Sequence, residues 1–138
     1  MKRCLALAKK AKENGKTAVG SLLVLEDEII TEAWEGENLL PAIMSHAENL
    51  VILKAIEKIG KEKLSSCVLY TTVEPCFMCA YLIRQTKIKQ VIYGTETPAG
   101  GDSSVYPILK ATEISPWSNP PLVMAGVMKK ACEEILKK

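Results

Sequence analysis

The stretch CVLYTTVEPCFMCAYLIRQTKIKQVIYG, residues 67–94, constrains this chain more than any other. A β-rich run at 67–72 passes through Pro75 into a helical segment and returns to a second β-rich run at 88–94. Strand, helix and strand at this spacing pair the two strands in parallel through a right-handed crossover. The chain therefore belongs to the α/β class, with helices laid on a sheet.

The flanking segments fit that pattern. Residues 2–13 place Leu5, Ala8 and Ala11 near one helical face, and Asn14-Gly15 supply a stop. TAVGSLLVL (17–25) and EIITEAW (28–34) are β-rich runs joined at Glu26-Asp27, which predicts a hairpin. LLPAIM forms a loop, and Ser45 is the expected N-cap of a helix running to about Ile59. That helix is apolar over much of its surface (Leu50, Val51, Ile52, Leu53, Ala55, Ile56, Ile59), so it should be well buried. Beyond residue 94 come a Gly- and Pro-bearing loop, an irregular stretch to PWSNPP and a short run LVMAG. An amphipathic helix carrying Met128, Ala131, Cys132, Ile135 and Leu136 follows. No internal repeat divides the chain, and residues 1–138 are expected to form a single domain.

Composition sets outer limits. At 138 residues the chain buries a core without staples, and 48% hydrophobic with 25% charged residues is a globular balance. No apolar run reaches the length of a membrane span, and MKRCLALAKKAK breaks into lysines too soon for a secretory signal core, so a cytoplasmic protein is expected. Five cysteines, an odd number, favour reduced thiols or metal ligands over disulfides. The formal net charge of +2 gives no broad basic footprint, which argues against tight binding to a long nucleic acid.

Two motifs carry chemistry. MSHAENLV holds the only histidine, His46. By itself it has an ordinary reading, a capping box in which Glu48 returns a hydrogen bond to Ser45. VEPCFMC alters the balance: Cys76 and Cys79, three apart at a helix start, turn both thiols toward one ion, and the helix dipole favours the thiolates. Alone, C-x-x-C is also compatible with a redox pair or with buried structural cysteines. Together, H-x-E and P-C-x-x-C are the signature of zinc deaminases. Three protein ligands leave the fourth tetrahedral position to a water or hydroxide, the catalytic arrangement of zinc. Glu48 would not bind the metal but would take the water proton and deliver it to the departing nitrogen.

On HAE, LYTTVEPCFMC, AYLIRQTKIKQVIYG and the late GVMKKACEE segment, the chain resembles the cytidine and deoxycytidylate deaminase superfamily. The similarity is to the branch containing tRNA adenosine deaminase, guanine deaminase and fungal cytosine deaminase. It implies a three-layer α/β/α sandwich with a five-stranded mixed sheet, a homodimer or higher homo-oligomer, and one zinc ion per chain. By the same resemblance His46, Cys76 and Cys79 are the zinc ligands, Glu48 is the proton shuttle, and the backbone amide of Ala47 meets the substrate. Members often carry an asparagine eleven positions before the ligand histidine. Here that position is Glu35, and Asn38 could serve only with a shorter loop.

Glu35 is either a solvated loop charge or a pocket acceptor. A carboxylate in the pocket only accepts hydrogen bonds and would prefer a substrate edge rich in N–H groups. Trp117 could stack on a base, although packing of its loop is the commoner use of such a residue. The leading expectation is a hydrolase acting on the cyclic amidine of a free nucleobase, nucleoside or related amino-heterocycle: guanine-, cytosine-, isocytosine- or aminotriazine-like. A tRNA-specific adenosine deaminase is the alternative, disfavoured by charge. A non-enzymatic domain whose structural zinc takes Cys67 or another cysteine as fourth ligand is the third reading.

Overall fold

The computed structural model describes residues 1–37, 40–114, 116, 117 and 119–138. Among them, helix α1 (Lys2–Glu13) precedes strands β1 (Gly20–Leu25) and β2 (Glu28–Trp34), and helix α2 (Ala47–Ile59) leads to β3 (Val68–Val73). Helix α3 (Phe77–Thr86), β4 (Gln90–Thr95), β5 (Leu122–Met124) and α4 (Lys129–Leu136) follow. The strand order is β2-β1-β3-β4-β5. β1 pairs antiparallel with both β2 and β3, whereas β3 with β4 and β4 with β5 run parallel. The sheet is mixed, and α3 is the crossover that residues 67–94 predict.

Helices cover both faces, giving the three-layer α/β/α sandwich. α2 packs on β1 and β2 beside α3, while α1 lies against β1 and touches α4, which rests on β4. The approach of α1 is so close that a Cβ on Gly20 would stand 2.2 Å from the carbonyl oxygen of Cys4. Between α2, α3 and the sheet lie Leu23, Leu50, Ile52, Leu69, Ile83 and Val91, all fully buried. Each such side chain contributes about 1.5–3 kcal/mol through burial. The parallel strands β3 and β4, covered on both faces, are largely apolar rather than alternating.

Several local details differ from the sequence expectation. Glu26 (φ 51°) and Asp27 (φ 64°) both adopt the left-handed conformation of a type I′ hairpin turn, whose twist matches that of the flanking strands. Residues 42–44 form a single 3-10 turn within the expected loop. The N-cap of α2 is His46, not Ser45, and Ser45 Oγ instead donates to the carbonyls of Leu40 and Pro41. Cys76 is the N-cap of α3, which leaves Pro75 outside the helix. No described helix is long and apolar enough to cross a membrane.

Candidate zinc centre and active site

The strand directions gather the site at one edge of the sheet. β1 starts where β2 and β3 end: Gly20 pairs with Trp34, and its N–H donates to Thr72 Oγ1. The exit of β2 is tied to the start of α2 by the Gly36 N–H, which donates to the Ser45 carbonyl at 2.8 Å. That places His46 at the same edge as the β3-to-α3 junction, and two helix N-termini converge there with their dipoles aimed at one point.

His46 Nδ1 lies 3.4 Å from Cys76 Sγ and 3.5 Å from Cys79 Sγ, and the two sulfurs are 3.6 Å apart. A zinc tetrahedron with bonds of about 2.3 Å to sulfur and about 2.0–2.1 Å to nitrogen has edges of about 3.8 Å between sulfurs and about 3.6 Å from sulfur to nitrogen. The donor set and the triangle both fit the ion, and among the described residues these three form the group able to hold a metal. Their own protons are arranged as an ion pair beside a thiol. The hydrogen bond from Cys79, partly opposed by burial and helped by His46, pulls the Cys76 thiol down to about 4. The same bond, with burial, pushes Cys79 up, and the bond to Cys76 raises His46 to about 9. A divalent cation therefore exchanges with these protons.

Glu48 is almost completely buried beside the cluster, with Oε2 3.8 Å from Cys79 Sγ. Its Oε1 accepts a hydrogen bond from Thr71 Oγ1 at 3.0 Å, and Thr71 Oγ1 in turn accepts from Ser21 Oγ at 2.8 Å. Facing positions of β3 and β1 thus support the α2 carboxylate through two hydroxyls. Burial pushes Glu48 up to about 7. The capping-box reading fails because this carboxylate turns inward to β3, leaving Ser45 to its own loop.

The ligand-bearing junction is braced by Glu74, one residue before Pro75. Its buried carboxylate accepts from the backbone N–H groups of Thr97, Asp102 and Ser103 and from Ser103 Oγ at 2.6 to 3.2 Å. Thr71 and Ser21 carry no motif of their own and show in the sequence as polar residues inside strand-like runs, whereas Glu74 lies within VEPCFMC without a role that spacing reveals.

The remaining candidates fall into two groups. Glu35 points at the site: its Oε2 accepts the Ala47 N–H at 3.2 Å, and burial pushes its carboxyl up. The amide implied to meet substrate is thus held by a residue of the chain itself. Asn38 lies outside the described residues. Trp117 packs elsewhere, with the Arg84 guanidinium 4.6 Å from its ring centroid and the Tyr81 ring at 5.9 Å, clamping the loop onto α3. Cys67 sits at the far end of β3 and donates to the Lys63 carbonyl, which removes it as a fourth ligand.

Residues 1–95 match the family described as the cytidine and deoxycytidylate deaminase zinc-binding region. The chain belongs to this family. As a family member it is a zinc-dependent hydrolase, so the structural-zinc reading is set aside. It is 32% identical over 136 residues to the tRNA-specific adenosine deaminase of Bacillus subtilis (strain 168), covering 99% of this chain and 83% of that one. With the tRNA-specific adenosine deaminase of Aquifex aeolicus (strain VF5) it shares 38% identity over 110 residues, 79% of this chain and 73% of the relative. A solved structure from work on adenosine-to-inosine editing by deaminases at the wobble position of transfer RNA superposes with a TM-score of 0.89 at 31% identity. The match covers 99% of this deaminase and 97% of that chain.

These relatives overturn the expectation of a free nucleobase, nucleoside or amino-heterocycle as substrate and partner. The physical reason is that the two motifs encode the attack on an amidine carbon and say nothing of what the amidine is attached to. The charge argument failed because a net charge is summed over the whole surface, whereas a nucleic acid meets the local field at one patch.

Proposed function

We propose that this deaminase acts on tRNA, converting an adenosine to inosine with water consumed and ammonia released. Support comes chiefly from near-full-length similarity to tRNA-specific adenosine deaminases, joined to a zinc cluster with a buried carboxylate beside it. His46, Cys76 and Cys79 hold the ion, which when bound makes a water acidic enough to lose a proton at neutral pH. Glu48 accepts that proton at Oε2 and hands it to the departing amino nitrogen. Thr71 and Ser21 keep Oε1 engaged so that Oε2 faces the reaction. Glu35, which accepts the Ala47 N–H, orients the base. Exposed Ile43, Met44, Val105 and Tyr106 offer apolar surface to a second copy, consistent with a homodimer.

The test is incubation of the zinc-loaded protein with a tRNA carrying adenosine at the wobble position, scoring inosine by reverse transcription. Conversion that disappears in Glu48→Ala, with zinc content unchanged, is the expected result. No conversion by a folded, zinc-replete protein would overturn the reading.

A further inference from the structure

Near Glu35 the chain carries a lysine whose stem packs over the bare backbone of a glycine. Gly36, next to Glu35, has φ +82°, and a Cβ there would stand 2.7 to 3.0 Å from Cγ, Cδ and Cε of Lys16. The missing Cβ lets the lysine stem lie flat across the β2 exit. Among the described residues Lys16 has no ion pair, and it is exposed. Such a stem on a fixed support points its ammonium with less loss of freedom on binding than a free surface lysine would.

Two clefts meet at this residue. One, of about 280 Å³, runs from Gly15, Lys16 and Thr17 to Glu35, Gly36 and Ser45, and so opens beside the residue preceding His46. The other, of about 320 Å³, shares Gly15, Lys16 and Thr17 and continues to Lys12, Lys137 and Lys138. The Lys12 ammonium donates to the carbonyls of Ile135 and Lys137, which fixes the end of α4 as the second cleft's wall. Lys137 is paired with Glu134. Among the described residues, Glu35 is the only acidic side chain lining either cleft, and it is already turned to the Ala47 amide.

We infer that these joined clefts are a track for the RNA backbone, with Lys16 contacting a phosphate beside the target nucleotide and Lys138 extending the contact. The inference rests on the tRNA reading above. A base held at the zinc cluster brings its own phosphates to the surface beside it, and the cleft that opens there next to Glu35 and Ser45 carries Lys16. The strand must then leave along the surface, and the groove leading from that cation is lined by further lysines. Backbone contacts of this kind supply affinity without sequence preference and weaken with salt, each neutralised phosphate of a single strand adding about −0.7 to the log–log slope.

The experiment uses the zinc-loaded protein and a tRNA with a wobble adenosine, measuring kcat, KM and binding between 50 and 300 mM salt for Lys16→Ala, Lys16→Glu and Lys63→Glu. Lys63, on the turn before β3 at the opposite edge of the sheet, controls for the change in net charge. Lys16→Glu should raise KM about tenfold with a much smaller change in kcat, and Lys16→Ala should flatten the salt slope by about one phosphate. Lys63→Glu should change KM less than about twofold. Equal effects of Lys16→Glu and Lys63→Glu, or a loss confined to kcat, would overturn the track while wild-type conversion of tRNA kept the deaminase reading intact. Absence of wild-type conversion would remove both.

Discussion

Glu48 and Glu74 are both buried carboxylates near the end of β3, yet the two regions that hold them are built differently. Glu74 meets four donors from the loop at 97–103 and uses every one to fasten that loop under the Pro75-Cys76 junction. Glu48 meets the Thr71 hydroxyl at 3.0 Å and, at 3.8 Å, the thiol of Cys79, which is itself one of the zinc ligands. A carboxylate whose lone pairs are filled is a rivet, because moving it would strand several buried donors. One buried with lone pairs to spare has its proton affinity set by desolvation, and it can exchange a proton with whatever enters.

The sharpest way to break this contrast is kinetic. Glu48→Gln keeps the shape and the Thr71 contact but removes the exchangeable proton, so kcat on tRNA should fall about 10³-fold with zinc stoichiometry unchanged. Retained turnover in that variant would erase the distinction. Glu74→Ala should act the other way, through stability: three backbone N–H groups and one hydroxyl lose their acceptor, costing about 3 kcal/mol in urea unfolding. A loss of activity at unchanged stability would move Glu74 into the chemistry.

The pH dependence of stability sharpens the contrast further. Glu48 is raised from its ordinary 4.5 to about 7 in the folded chain by burial, so the folded state binds the proton more tightly than the unfolded one. The stability this contributes is present below about pH 4.5 and is lost as pH rises through about 7. In chelator-treated protein, Glu48→Gln should therefore gain on wild type across that window, by up to about 3 kcal/mol above pH 7. Unfolding curves at pH 4 and pH 8 measure the difference. The smallest effect is expected at Thr71→Val, where losing a donor that favours the charged form raises Glu48 further. The acid limb of the kcat profile should move to higher pH, with kcat down about tenfold.

The same contrast explains what was legible in the chain before folding. His46, Cys76, Cys79 and Glu48 stand in two short motifs whose spacing is dictated by a helix turn and one ion, so local sequence is enough to find them. Glu74 sits inside the same readable segment, but its donors are more than twenty positions away, and Ser21 and Thr71 meet only through pairing of β1 with β3. Lys16 follows the helix stop and belongs to no motif. Its meaning depends on the bare backbone of Gly36, twenty positions further on.

The sequence by itself determined the α/β class, the parallel crossover, the identity of the zinc cluster and the carboxylate beside it, because periodicity and ligand spacing are local properties. Tertiary structure alone decided that Ser45 does not cap α2 and that Glu35 turns onto the Ala47 amide. It also decided that two clefts join at Lys16. Each of these depends on which strand ends share an edge of the sheet, and that is settled by long-range pairing and burial that no short stretch of residues encodes.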